Sequence, residues 1–369
     1  MALIYKLIFC TALIICLIVG IRFHVRHKTT STICCVAGKS GGHIIPCLTL
    51  AQRYKQEHTP DAQILFFSMN SPLDFSLLAH NAAVTYHIPL ALISSPSRII
   101  SAPILALKLA RAWCTSIYQL YDHAPSVVIT TGGIVGIPVC LAARMLGIPI
   151  ELYNLDAVPG KAARWIAYIA QTTHVCFTQT KTAFGNCQCT VCQYPVRFSR
   201  QDVQLSRVDA CQRLGFDPHK KTILIIGGSQ GSQFLNNAIK QIVATKNLLN
   251  LQIIHQTGAP DDAHLHAWYQ SRTVPAVVFS YRDDIATCYA AADLIISRAG
   301  AGSLFEIAFF EKPSIIIPLE AQTTDHQVDN AYAFQAQYPN ACTVIRQKEL
   351  ELDPRQLYEL IREKLIASP

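Results

Sequence analysis

Three short glycine-bearing segments constrain this chain more than any other feature: Gly38-Lys39-Ser40-Gly41-Gly42-His43, Thr130-Thr131-Gly132-Gly133 and Gly227-Gly228-Ser229-Gln230-Gly231. Each follows an apolar, β-branched run, and the first and third lead into a helical pattern. A strand feeding a glycine turn and then a helix leaves unpaired backbone N–H groups at the positive end of the helix dipole. That geometry binds phosphate. An ordinary tight βα turn favours glycine too, so one such loop decides little. Two of them, in separate halves of the chain, point to two phosphate-binding domains.

The pattern around the loops fixes the fold class. From Thr32 strands alternate with helices through short connections. The expected strands are Ile33–Ala37, Ile64–Phe67, Val84–Ile88, Val127–Thr130, Ile150–Tyr153 and His174–Thr178, with helices over Ile45–His58, Ala102–Tyr121, Gly136–Leu146 and Lys161–Ala170. Pro195-Val196-Arg197 and the polar stretch Ser199–Asp209 read as an interdomain linker. A second series follows: Thr222–Ile226, Gln252–Gln256, Val277–Tyr281, Leu294–Ser297, Ser314–Pro318 and Cys342–Ile345. Continuous Ile/Val/Leu strands, rather than alternating ones, indicate parallel sheets buried on both faces. At 369 residues the chain can build two full cores. The expected architecture is α/β, with two doubly wound domains facing across a cleft at their strand carboxyl ends.

Composition narrows the partners. The run Ala2–Ile21 carries only Lys6 as a charge and is followed by Arg22, Arg26 and Lys28. Twenty apolar residues match the hydrocarbon thickness. A cleaved signal would carry its charge before the apolar core and a small-residue site after it. The sequence therefore predicts one N-terminal transmembrane helix with the body on the cytoplasmic side; a buried or interfacial helix is the other reading. The net charge of +7 suits a membrane surface or a phosphorylated substrate. No Arg/Lys stripe interleaved with aromatics argues for nucleic acid. The apolar helix Ala102–Tyr121, carrying Lys108 and Arg111, reads either as a membrane-docking face or as a sheet-covering helix. The fourteen cysteines do not form a disulfide framework, because Cys34, Cys35, Cys140, Cys176 and Cys288 fall inside core elements. Cys187, Cys189 and Cys192 have a spacing that could hold zinc, but a cysteine-rich strand or hairpin accounts for it as well.

The residues that carry chemistry lie mostly in the second half. No nucleophile elbow, zinc helix, Walker lysine or dinucleotide fingerprint is present. Phosphate loops without those signatures point to a diphosphate leaving group or a nucleotide-sugar donor. Ser297-Arg298-Ala299-Gly300-Ala301-Gly302-Ser303-Leu304-Phe305-Glu306 joins a strand to a helix through small residues that let a ligand approach the backbone. A carboxylate at Glu306, one turn into the helix, can accept both hydroxyls of a ribose, or can simply complement the helix dipole. Gln327 can bond sugar hydroxyls, while Asp325 can act as a helix cap.

With these motifs on the page, the chain resembles the peptidoglycan N-acetylglucosaminyltransferases of glycosyltransferase family 28 over roughly residues 32–350. The resemblance rests on Ala37–Pro46, Thr131-Gly132-Gly133, Tyr194-Pro195-Val196-Arg197, Gly227–Gly231, Tyr281-Arg282-Asp283-Asp284-Ile285, Ser297–Glu306, Asp325-His326-Gln327 and Asn330-Ala331. It implies two Rossmann-like domains of the GT-B type, an acceptor and membrane-side domain over 29–196 and a UDP-sugar domain over 197–369, after an anchor at 1–28. It implies transfer of N-acetylglucosamine from UDP-N-acetylglucosamine to lipid I, a polyprenyl-diphosphate-linked acceptor, to give lipid II. The donor is a substrate; the resemblance implies no cofactor and no metal.

The family's site residues fall on Ser229, Gln230 and Gly231 with Arg197 at the donor diphosphate, the Arg282 segment at the uracil, Ala301, Gly302, Ser303, Leu304, Phe305 and Glu306 at diphosphate and ribose, and Gln327 at the sugar. Ser40, Gly41 and Gly42 line the first-domain side, and His43 is expected as general base or acceptor-orienting group, since imidazole titrates near neutrality; a histidine bonded to the loop backbone is the other reading. The resemblance implies inversion by direct displacement, with UDP stabilised by helix-terminal amides and Arg197. Two departures bear on the acceptor. Lys39-Ser40 stands where the family usually has Gly-Thr, and Tyr153-Asn154-Leu155-Asp156 replaces a His-Glu-Gln-Asn run, which puts Asp156 where an amide touches sugar or acceptor. Three rivals remain at this stage: a transferase acting on diacylglycerol or another lipid, an anchored non-catalytic nucleotide-sugar-binding partner, and a non-hydrolysing UDP-sugar epimerase.

Overall fold

The computed structural model describes residues 31–38, 41–79, 81–92, 102–228, 231–245, 250–258, 262–320 and 326–367. The expected anchor, Lys39, Ser40, Ser229, Gln230 and Asp325 lie outside those residues. Among the described residues no helix is long and apolar enough to cross a membrane. The chain divides into two compact units between Pro195 and Val196.

The first unit is a parallel sheet of seven strands: β1 (Thr32–Val36), β2 (Gln63–Met69), β3 (Tyr86–Leu90), β4 (Val127–Thr130), β5 (Ile150–Asn154), β6 (Thr172–Val175) and β7 (Cys189–Val191), in the order β3-β2-β1-β4-β5-β6-β7. Both faces of the central strands are covered, which is why β1, β2 and β4 are almost wholly buried while the edge strands β3 and β7 are largely exposed. In β1, Cys34 and Val36 enter one core with Val139, Cys140 and Ala143 of the helix Gly136–Leu146. Ile33 and Cys35 enter the other with Ile44, Cys47 and Ala51 of the helix Gly41–His58. The alternation follows from the two-residue period of a strand. Phe66 and Phe67 are both fully buried, one in each core, so truncating either to alanine costs about 3–5 kcal/mol.

The second unit repeats the plan with β8 (Lys221–Ile226), β9 (Leu251–Gln256), β10 (Ala276–Phe279), β11 (Leu294–Ser297), β12 (Ser314–Ile316) and β13 (Cys342–Val344), all parallel in the order β10-β9-β8-β11-β12-β13. Its main core gathers Ile223, Ile225, Ile253, Ile296 and Ile315 under Leu235, Ile239 and Tyr269 of the covering helices.

Several expectations shift. Strand β3 begins at Tyr86 instead of Val84, because Val84 closes a turn onto the Asn81 carbonyl at 3.1 Å. The first helix begins at Gly41 rather than Ile45, which puts Gly41, Gly42 and His43 in its first turn. The helix Lys161–Ala167 stops three residues short of Ala170. The stretch read as a linker is docked and partly helical. Ser199 and Asp202 form a capping box, and Arg207 donates to Asp293 at 2.6 Å. Phe198 packs among Tyr289, Phe309 and Phe310. The cysteine-rich segment supplies β7, in parallel register with β6, and Cys176 and Cys192 approach to 3.9 Å between sulfurs. The helix Ala102–His123 is buried on one side and exposed on another. Ala112, Ile117 and Leu120 are buried against the sheet, while Ile104 and Leu107 are 52% and 73% exposed.

Candidate functional site

In an open doubly wound sheet, ligands bind at the carboxyl ends of the strands where the strand order reverses. The reversal lies between β1 and β4 in the first unit and between β8 and β11 in the second. The glycine segments fall on those two points. Gly38 follows β1, Thr131-Gly132-Gly133 follows β4, and Gly227-Gly228 follows β8.

In the second unit, the loop after β8 returns on itself through a hydrogen bond from the Gly231 N–H to the Gly228 carbonyl at 3.0 Å. Gly231 has φ +71°, and a Cβ there would collide with the Thr257 carbonyl of the neighbouring strand end. Only glycine fits. Ser232 then opens the helix Gln233–Thr245, its hydroxyl accepting from the Leu235 N–H at 3.3 Å. The same hydroxyl accepts from Arg298 Nε at 2.9 Å. Arg298 is buried, and it donates further to the Ile317 and Pro318 carbonyls, both at 3.2 Å, and to Gln347 Oε1 at 2.9 Å. Burial lowers its pKa to about 10. One guanidinium thus ties the glycine loop to the end of β12.

After β11, the helix Ala301–Phe309 starts at Gly300 with no side-chain cap. Its first N–H groups therefore lack an intrahelical or capping partner. The Leu304 N–H is already spent on the Gly300 carbonyl at 3.1 Å, and the side chains of Leu304 and Phe305 are buried in the core. Among the described residues, the open donors at this helix start are those of Ala301, Gly302 and Ser303. This loop is clamped from the helix His326–Gln337. Gln327 Oε1 accepts from the Ala299 N–H at 3.2 Å and the Leu319 N–H at 3.0 Å, and Asn330 Nδ2 donates to the Ala299 carbonyl at 3.3 Å. Because both partners of Oε1 are backbone donors, the orientation of the Gln327 amide follows from chemistry. Its NH₂ end points the other way.

Glu306 sits on the same helix with both oxygens engaged. Arg197 Nε donates to Oε1 at 3.0 Å and the Tyr289 hydroxyl to Oε2 at 2.9 Å. Burial, then the Glu306 carboxylate, push the Tyr289 phenol well up, so it remains a donor. Burial pulls Arg197 down, but the Glu306 carboxylate, through its charge and its hydrogen bond, outweighs that and holds the guanidinium above its ordinary value. Arg282 folds onto its own turn, donating to the Asp284 carbonyl at 3.2 Å, and Tyr281 beside it is exposed.

In the first unit, the hydroxyl of Thr131 donates to the His43 carbonyl at 3.3 Å, so the β4 loop supports the start of the Gly41–His58 helix. The imidazole itself is not tied to that loop: its Nδ1 is buried and has no hydrogen-bond partner among the described residues. Asp156 lies beyond β5, where its carbonyl accepts from Asn154 Nδ2 at 2.6 Å. The structure thus gathers Gly41, Gly42, His43 and Thr131 in one unit, and Arg197, Gly231, Ala301, Gly302, Ser303, Glu306 and Gln327 in the other. Tyr289 escaped the sequence reading because a tyrosine in an apolar helix carries no local signal. Arg298 was visible within its motif but without a role.

Two doubly wound parallel sheets, each with a glycine loop where its strand order reverses, define a two-domain α/β class whose ligand sites lie at those reversals. The sequence assigns the chain within that class. Residues 33–175 match the glycosyltransferase family 28 N-terminal domain and residues 222–367 its C-terminal domain. The chain is 32% identical over 307 residues to the UDP-N-acetylglucosamine–N-acetylmuramyl-(pentapeptide) pyrophosphoryl-undecaprenol N-acetylglucosamine transferase of Protochlamydia amoebophila, covering 81% of this chain and 78% of that one. It is 30% identical over 298 residues to the protein of the same name from Phocaeicola vulgatus, covering 80% and 79%. The crystal structure of MurG from Acinetobacter baumannii shares the fold, with a TM-score of 0.67 at 24% identity over 91% of each chain. The chain belongs to glycosyltransferase family 28.

Proposed function

We propose that the chain is the N-acetylglucosaminyltransferase that converts lipid I to lipid II in peptidoglycan synthesis, with UDP-N-acetylglucosamine as donor. The observation that carries this reading is the similarity to transferases of that name across four-fifths of the chain. The geometry supports the division of labour. The second unit takes the donor: Gly231, with Ser229 and Gln230 of the same loop, and the Ala301–Ser303 amides meet the diphosphate, Glu306 the ribose, the Arg282 segment the uracil and the Gln327 amide the sugar. Arg197, which donates to Glu306 at 3.0 Å, turns to the diphosphate and balances charge as UDP leaves.

The first unit takes the acceptor, with Gly41, Gly42 and the Ser40 segment at its diphosphate. The acceptor hydroxyl attacks the anomeric carbon as the bond to the UDP oxygen breaks, and His43 receives the hydroxyl proton. His43 Nδ1 has no hydrogen-bond partner among the described residues, so none of them orients the ring through that nitrogen. Asp156 adds a negative charge near the acceptor side.

A single-pass anchor over residues 1–28 and the exposed Ile104 and Leu107, beside Lys108 and Arg111, hold the enzyme on the cytoplasmic face of the inner membrane, where anchoring raises the local concentration of a lipid-borne acceptor. Transfer of labelled N-acetylglucosamine from its UDP donor to purified lipid I tests the proposal.

A further inference from the structure

The two arms that hold Glu306 differ in kind. Tyr289 is fully buried, with its ring stacked on Phe310 at 4.9 Å and met edge-on by Phe198 at 5.7 Å. No ligand can replace it without opening that aromatic cluster. Arg197 approaches the other oxygen from a position 29% exposed to solvent, and Glu306 itself is 14% exposed. One arm is permanent and the other exchangeable.

We propose that Tyr289 is a positioning residue for the donor: its hydroxyl fixes Oε2 of Glu306, so that Oε1 is held ready for the ribose diol when Arg197 turns to the diphosphate. The proposal rests on the reading of Glu306 as the ribose acceptor. A carboxylate offers about four lone-pair sites, and the phenol uses one. The remaining oxygen accepts diol hydroxyls without first paying to orient the group, which is where preorganisation adds affinity. The phenol keeps its proton across the physiological range because burial and the adjacent carboxylate both oppose ionisation.

The test is calorimetric, on the full chain, with UDP and 2′-deoxyuridine diphosphate as probes. Tyr289→Phe keeps the ring and its stacking and removes only the hydroxyl. It should weaken UDP about tenfold, as the loss of one hydrogen bond to a charged group does. Affinity for the deoxy probe should change little, and Tyr289→Phe should add nothing in a Glu306→Gln background. Equal weakening of both probes, or UDP affinity unchanged from the parent, overturns the proposal. If the unaltered chain binds both probes alike, the ribose reading of Glu306 fails and the proposal with it. If the parent prefers UDP and that preference survives Tyr289→Phe, only the role of Tyr289 fails.

Discussion

Arg298 and Ser232 lie 66 residues apart and are joined by a 2.9 Å hydrogen bond from Nε to Oγ. The bond connects the loop after β11 to the first residue after the glycine loop of β8, across the point where the strand order of the second sheet reverses. The rest of the guanidinium serves the carbonyls at the end of β12. Arg298→Lys replaces a planar fork with a single point charge, which cannot satisfy all three directions. The variant should lose roughly 3 kcal/mol of stability through carbonyls left unpaired. It should also bind UDP more weakly. Thermal melting and UDP titration check both.

In the proposed donor site, Gln327 separates sugar recognition from nucleotide recognition. Its Oε1 is committed to the Ala299 and Leu319 N–H groups, so only its NH₂ can meet a hydroxyl. Gln327→Glu keeps the acceptor and removes the donor. The fold should survive, the KM for UDP-N-acetylglucosamine should rise about tenfold, and the affinity for UDP alone should stay as it was.

His43 carries the proposed proton transfer, and its Nδ1 has no hydrogen-bond partner among the described residues. His43→Ala should lower kcat by about 10²–10⁴-fold, with UDP affinity unchanged, because the imidazole belongs to the first unit and the proposed nucleotide site to the second. His43→Gln should recover none of the lost turnover. Steady-state kinetics beside UDP titration give the answer, and a His43→Ala chain with full turnover would remove the residue from the chemistry.

The pH dependence of stability follows from His87 and His174. Burial lowers both below the ordinary value of 6.5, opposed by Asp74 in the first case and Glu151 in the second. As pH falls through 6.5 the unfolded chain takes up protons before the folded one, so the unfolded state binds more protons and stability falls. Melting temperature should therefore drop below about pH 6.5, and His174→Gln should flatten part of that slope. A melting temperature that rises on acidification would contradict the assignment.

What the sequence showed and what it hid divide along physical lines. The glycine loops were legible because a tight turn after an apolar strand has a local signature, and the reversal points then fell where that signature predicted. The helix start at Gly41 was not, since two consecutive glycines are poor helix formers and read as loop. Phe198 looked like part of a linker because its partners, Tyr289, Phe309 and Phe310, come from far along the chain. The same holds for the Arg197–Glu306 pair, 109 residues apart. Glu306 could be singled out on its helix, but Tyr289 could not, because what defines it is a contact made only by folding.

The central claim is that this family 28 chain moves N-acetylglucosamine onto lipid I. Membranes carrying the protein, incubated with labelled UDP-N-acetylglucosamine and purified lipid I, test it most directly. The account predicts label in lipid II at a rate that depends on His43. UDP binding without any transfer of label to lipid I would contradict it.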